Sequence, residues 1–230
     1  MAKHEFLKKY EAYPLPRLDS GNLDNLYGVP DKNVIIRSKR GFTNQEFQRA
    51  KNLYAELNKD YGISTPLLKV LSPGVDGRAV VAVQKVQGIL LEDAVGEGND
   101  TLMPSVEGLC NGLMKYVLDK FERGGEYLSD IRLRQFMWGK RRTDEQNKAY
   151  FVDKDPLVGT YDPRRPMDNM LFIQKLPIDV GEMILFFEAK FGKGKISARK
   201  EFQSFTHKLM QDTYIRDFAS NHLPTYTKFA

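Results

Sequence analysis

The 230-residue sequence predicts an α+β chain of two lobes, a small antiparallel sheet followed by a reduced, mainly helical lobe. Three observations predict it. Short β-branched runs broken by turn-formers crowd the first 86 residues, around a single amphipathic stretch from Thr43 to Lys59. A longer stretch, 103–123, then shows a broad apolar face at helical spacing. Directly after it, two strand-like runs flank a polar turn, with one aspartate before the first run and another after the second.

Composition sets the outer bounds. A hydrophobic content of 41% against 28% charged residues is an ordinary globular balance, enough for a real core. The chain therefore reads as one domain, with a first lobe at about 13–86, a connection at about 84–88 and a second lobe at about 89–230. No apolar run is long enough to span a bilayer, and the opening MAKHEFLKKYEAY has no signal-peptide core. A cytoplasmic location is expected, that of a host cell if the chain is an injected effector. The lone cysteine, Cys110, excludes an internal disulfide framework. A net charge of +5 suits a phosphate-bearing ligand or an acidic partner protein, and is too modest to point to nucleic acid.

In chain order, residues 3–12 form a short basic helix. Leu18 to Arg37 alternates turn-formers (Asp19, Ser20, Gly21, Asn22) with strand pieces, ending in the β-branched run Val34-Ile35-Ile36. Lys39 lies two residues beyond Arg37, hence on the same strand face. Thr43-Asn44-Gln45-Glu46 is a capping-box sequence, followed at helical spacing by Phe47, Ala50, Leu53, Tyr54 and Leu57. Strands are expected at Leu67–Leu71 and Arg78–Val86, joined by the turn Pro73–Gly77. The second strand runs through Gln87-Gly88 into a short acidic helix at Leu91-Glu92-Asp93.

The helix 103–123 ends at Gly124-Gly125, and Cys110 falls inside its apolar stripe as a core residue. Tyr127-Leu128 then leads to Asp130. Gln135 follows, with the run Phe136-Met137-Trp138, a polar loop from Gly139 to Lys148, the run Ala149–Val152, and Asp153. Phosphoryl transfer needs such a pairing: one carboxylate to orient a hydroxyl, another with an amide to hold metal ions bridging the phosphates. Beyond Asp153 the chain reads as irregular, with Arg164 and Arg165 in a loop. An apolar helix opens at Pro177 with Asp179 in its first turn and ends near Phe191-Gly192. A last amphipathic helix covers Ser197 to Phe218. His4, His207 and His222 have no metal-ligand spacing.

Asp130 with an amide five residues on, a hairpin and then Val152-Asp153 resembles the catalytic loop and metal-binding segment of protein kinases. It resembles equally the aminoglycoside phosphotransferases, which share that fold. The family's His-Arg-Asp is here Leu128-Ser129-Asp130, its Asn is Gln135, and its Asp-Phe-Gly is Asp153-Lys154-Asp155. Earlier in the chain, Gly21 takes the central glycine of the phosphate loop. Asp19 and Asp24 stand where flanking glycines belong, and Arg37 stands for the phosphate-binding Lys unless Lys39 does. The resemblance implies Mg²⁺ on Asp153 and Gln135, with Asp155 the competing ligand, and Asp130 on the acceptor hydroxyl. It further implies adenine against the backbone of Gln84 and Val86. A helix glutamate should hold the basic strand residue, and here Glu46 or Glu56 is available, although Glu46 also suits the capping box. In that family the Asp179 position braces the catalytic loop.

Two functions follow as expectations. One is an atypical ATP- and Mg²⁺-dependent phosphotransferase, its acceptor a protein Ser/Thr rather than a small molecule. The other is a pseudokinase, a kinase-like module with little or no catalysis that binds an acidic or phosphate-bearing partner.

Overall fold

The computed structural model describes residues 3–15, 25–30, 32–39, 43–75, 78–96, 100–153, 157–169, 172 and 175–211. Asp19, Gly21, Asp24 and Asp155 lie outside the described residues, as does the stretch beyond Gln211 that was expected to continue the last helix.

Alternation on two neighbouring strands builds the first lobe. Strands β1 (Tyr13–Pro14), β2 (Asn25–Gly28), β3 (Val34–Lys39), β4 (Leu68–Val75) and β5 (Arg78–Gln84) form one antiparallel sheet in the order β1-β2-β3-β5-β4. Ile36 pairs with Ala82 and Ser38 with Val80, so these side chains share one face. There Tyr27, Val29, Ile36, Leu71 and Val80 are buried, with Leu7 and Tyr10 of α1 (Lys3–Tyr10) packed against them. Arg37 pairs with Val81 and therefore points to the other face. That face packs Ala79 and Val81 on Phe47 of helix α2 (Asn44–Tyr61).

Helix α2 forms where its capping box and apolar spacing place it. The Glu46 N–H donates to Thr43 Oγ1 at 3.2 Å, and the Thr43 N–H donates to Glu46 Oε2 at 2.7 Å. The helix continues two residues past Lys59, to Tyr61, because the residue able to end it is Gly62, left-handed at φ 68°. Gly62 bears no Cβ to oppose that conformation.

The second lobe is organised on helix α4 (Met103–Arg123), which follows the short helix α3 (Leu91–Gly96). Val106, Leu109, Cys110, Leu113, Met114 and Val117 of α4 are buried, in one core with α5 (Leu176–Phe191) and α6 (Ala198–Gln211). Cys110 is fully buried, as its place in the apolar stripe requires, and burial pushes its thiol up, away from the reactive thiolate. A Cβ on Gly112 would sit 2.4 Å from the Tyr61 carbonyl oxygen, so this glycine lets α4 touch the end of α2.

Two small sheets complete the lobe. The expected hairpin is β8 (Phe136–Lys140) and β9 (Lys148–Phe151), and β6 (Gln87–Leu90) pairs with β8 to give the order β6-β8-β9. Strand β7 (Gly125–Leu128) pairs with β10 (Val158–Tyr161). From the sequence, 87–90 reads as a connection and 158–161 as irregular. Neither carries its own alternation, and β6 is exposed along its whole length, so pairing with a distant strand decides both. Among the described residues, no helix is long and apolar enough to cross a membrane.

Candidate active site

The loop between β7 and β8 and the end of β9 converge on one place, and backbone bonds explain why. The Val152 N–H donates to the Gln135 carbonyl at 2.7 Å, which sets Asp153 beside the loop that begins at Asp130. Helix α2 fixes the same point from the first lobe: Tyr54 Oη donates to the Asp153 carbonyl at 3.2 Å, and the Phe151 N–H donates to Ser64 at 2.9 Å. The far end of the hairpin is pinned by Asp144. It accepts the Arg141 N–H at 2.7 Å, pairs with the Arg141 guanidinium at 3.0 Å, and accepts a hydrogen bond from Tyr150 Oη. These bonds, Arg141 first, hold the Asp144 carboxyl far below the usual carboxylate range.

Arg37 and Asp153 flank the same helix. Phe47 packs on Val81, the cross-strand partner of Arg37, and Tyr54 reaches Asp153. Phe47 and Tyr54 are two turns apart on one face of α2, about 10 Å along its axis. Arg37 is buried at 9% exposure. Lys39 continues β3, with Ala79 opposite.

Asp130 sits in a cluster of charge that the sequence did not announce. Its Oδ1 is 2.7 Å from Arg132 Nε and 3.2 Å from Lys175 Nζ, ionic contacts without hydrogen-bond alignment. Asp179, one turn into α5, lies 3.8 Å from the same Arg132 Nε. Its Oδ2 is buried with no hydrogen bond, so it faces the Arg132 side chain. Burial pushes the Asp179 carboxyl up to about 7. Arg132 opposes that shift and Asp130 adds to it. Arg132 and Lys175 are the functional candidates that sequence reasoning missed. A basic residue two positions past Asp130 was visible, whereas nothing local marks Lys175.

The remaining site candidates divide. Gln135 Oε1 accepts the Arg132 N–H at 2.7 Å, a local cap that turns one amide lone pair into the loop. Asp153 Oδ2 is buried. Glu46 is engaged in its capping box, and Glu56 pairs instead with the buried Lys120 of α4. The Gln84 N–H donates to Leu67 at 3.0 Å, while Val86 makes no backbone hydrogen bond among the described residues. Gly88 opposes Gly139 across β6 and β8, where a Cβ on either would fall 2.1–2.2 Å from the other strand's carbonyl oxygen.

The order is now complete: a basic strand, a capped helix against it, a strand running into a short helix, a central helix, Asp130, and a hairpin closing on Asp153. The fold is protein-kinase-like. The sequence matches no family model and no curated protein. Among solved structures, the chain is similar to a microcompartment-associated aminopropanol kinase, at 14% identity and a TM-score of 0.43, covering 96% of this chain and 98% of that one. It is also similar to the aminoglycoside phosphotransferase APH(4)-Ia, at 9% identity and a TM-score of 0.48, covering 99% and 95%. A third likeness is to the kinase PK-1 of Cydia pomonella granulovirus, at 13% identity and a TM-score of 0.45, covering 79% and 72%. With TM-scores below 0.5, none of these likenesses bears on what the kinase-like chain acts upon. Its fold assignment rests on the strand order, the placement of α2 and the Asp130–Asp153 hairpin.

Donor chemistry decides whether magnesium suits the site. Mg²⁺ takes hard oxygen ligands, commonly one or two carboxylates with waters and substrate phosphates. Asp153 would supply a carboxylate oxygen. Gln135 would supply a carbonyl oxygen, whose second lone pair is left by the bond to Arg132. Among the described residues no group of three His, Cys, Asp or Glu is placed to hold a metal, so phosphates and water would complete the shell. The residues fit.

Proposed function

We propose that this chain is a phosphotransferase that moves the terminal phosphoryl group of ATP, as its Mg²⁺ complex, to a hydroxyl on a protein Ser/Thr. One observation carries the reading. The Val152–Gln135 backbone bond ties the end of β9, where Asp153 lies, to the loop that begins at Asp130, and α2 fixes Asp153 from the first lobe. In this reading Asp153 and Gln135, with Asp155 as the competing ligand, hold the metal, which would neutralise charge on the phosphates. Asp130 orients the acceptor hydroxyl. Arg37, with Lys39 on the same strand, meets the α/β-phosphates, Gly21 is by its sequence position the phosphate-loop glycine, and the backbone of Gln84 and Val86 meets adenine. Glu46 caps α2 and so holds the helix that holds Asp153. Asp162, Pro163 and Arg164 line an open depression with Arg123 and Tyr161, and an open surface of this kind supports a protein acceptor over an enclosed small molecule.

A second reading, a kinase-like binding module, is favoured by one observation: Asp130 and the Gln135 amide oxygen are already engaged within the loop. Incubation with γ-labelled Mg-ATP separates the two. Label on a mixture of Ser/Thr peptides supports the first. Label confined to small amino alcohols overturns the protein acceptor, and nucleotide binding without transfer to anything favours the module.

A further inference from the structure

We propose that Lys175 is a catalytic residue of this site, a cation that with Arg132 holds the phosphoryl group in transit at the Asp130 end of the cleft. The inference rests on the phosphotransferase reading and adds to it a residue from a distant part of the chain.

Lys175 stands just before α5, yet its Nζ lies 3.2 Å from Asp130 Oδ1, with the side chain 28% exposed. Arg132 Nε lies 2.7 Å from the same oxygen. One carboxylate has no need of two cations, since gathering charges away from water is costly unless each finds a partner. Neither cation is used up by Asp130. An ammonium carries three N–H donors and a guanidinium five, and Asp130 takes one direction from each. The other anion in contact, Asp179, is pushed up to about 7 by burial, so near neutrality it offsets only part of a charge. Glu182, one turn further along α5, is exposed. The cluster thus keeps positive charge in reserve beside the carboxylate that would receive the acceptor. A phosphoryl group in flight brings three oxygens bearing negative charge to that position.

The step balances as follows. The acceptor hydroxyl oxygen bonds to the γ-phosphorus while the bond to the β,γ-bridging oxygen breaks, and that electron pair leaves on ADP. The hydroxyl proton passes to Asp130 and on to water.

The test compares Lys175→Met and Lys175→Arg with the parent in three measurements: calorimetric binding of Mg-ATP, formation of a complex with Mg-ADP and aluminium fluoride, and turnover. Aluminium fluoride imitates the planar phosphoryl group. We expect Lys175→Met to bind Mg-ATP as the parent does, and to weaken both the fluoride complex and turnover by about 10²–10³-fold, the usual loss for one preorganised transition-state donor. Lys175→Arg should restore most of both. A Lys175→Met variant that traps and turns over like the parent, or faster, overturns the proposal. So does one that loses Mg-ATP binding together with the trap, which would make Lys175 structural. A parent that binds no Mg-ATP overturns the phosphotransferase reading and the role of Lys175 with it, an outcome distinct from an unimpaired variant of a parent that binds.

Discussion

Replacing Glu56 by Gln should destabilise the protein and loosen the hold of α2 on Asp153 together. Glu56 of α2 pairs with Lys120 of α4, whose side chain is 9% exposed against 27% for Glu56. Beside this pair, Tyr61 Oη donates to Asp119 at 2.7 Å, and Arg49 bonds Glu126 of β7 at 2.7 Å. Removing the carboxylate leaves an ammonium nearly enclosed, a change that costs about 3–5 kcal/mol when the pair is fully buried. The partial exposure of Glu56 puts the expectation at the lower end, about 3 kcal/mol. For a chain of this length that lowers Tm by about 6–12 °C. Lys120→Met should cost less, because it leaves the more exposed partner, and the double variant Glu56→Gln/Lys120→Met should recover most of the loss. Urea unfolding of the four proteins gives the coupling energy directly. Because α2 also carries Tyr54, which holds the Asp153 carbonyl, Glu56→Gln should weaken Mg-ATP binding as well. Single variants that each lie within about 0.5 kcal/mol of the parent, the range of ordinary surface changes, would refute the idea that this pair ties the lobes.

Two further outcomes follow from the same geometry. Gly139→Ala should separate β6 from β8, since its Cβ would meet the Gln87 carbonyl oxygen at 2.2 Å, and hydrogen exchange should show lost protection at 87–90 and 136–140 while α4 keeps its own. Unchanged protection would contradict the pairing. Asp179 has a folded pKa raised above its unfolded value, so its contribution is fully present below about pH 4 and is lost as pH rises through about 7. Asp179→Asn should therefore gain stability relative to the parent between pH 5 and pH 8, and identical pH profiles of unfolding for the two proteins would refute the shift.

What the sequence made legible was local. Thr43, Glu46 and Gly62 mark the ends of α2 through contacts a few residues apart, and the spacing of Val106, Leu113 and Val117 marks the buried face of α4. Strand β6 escaped notice because its order comes from pairing with β8, far along the chain. The charge cluster escaped for the same reason: Lys175 reaches Asp130 only once the chain has folded back. Glu46 and Glu56 were both candidates to hold Arg37. The alternative role was legible for Glu46 from its spacing to Thr43, and illegible for Glu56, whose partner Lys120 belongs to the other lobe. Gln135 matched a family position, but its cap on Arg132 depends on a turn that its sequence does not advertise.

The central claim is that Asp130 and Asp153 divide acceptor and metal between them, and calorimetric titration of Mg-ATP into the parent, Asp153→Ala and Asp130→Ala, with turnover measured alongside, tests it most directly. The account predicts that the parent binds, that Asp153→Ala loses binding and turnover together because the metal loses its anionic ligand, and that Asp130→Ala binds like the parent while turning over about 10²–10⁴-fold more slowly. Asp155→Ala in the same series tells whether that residue shares the metal. Binding and turnover in Asp130→Ala and Asp153→Ala equal to the parent's would contradict the account.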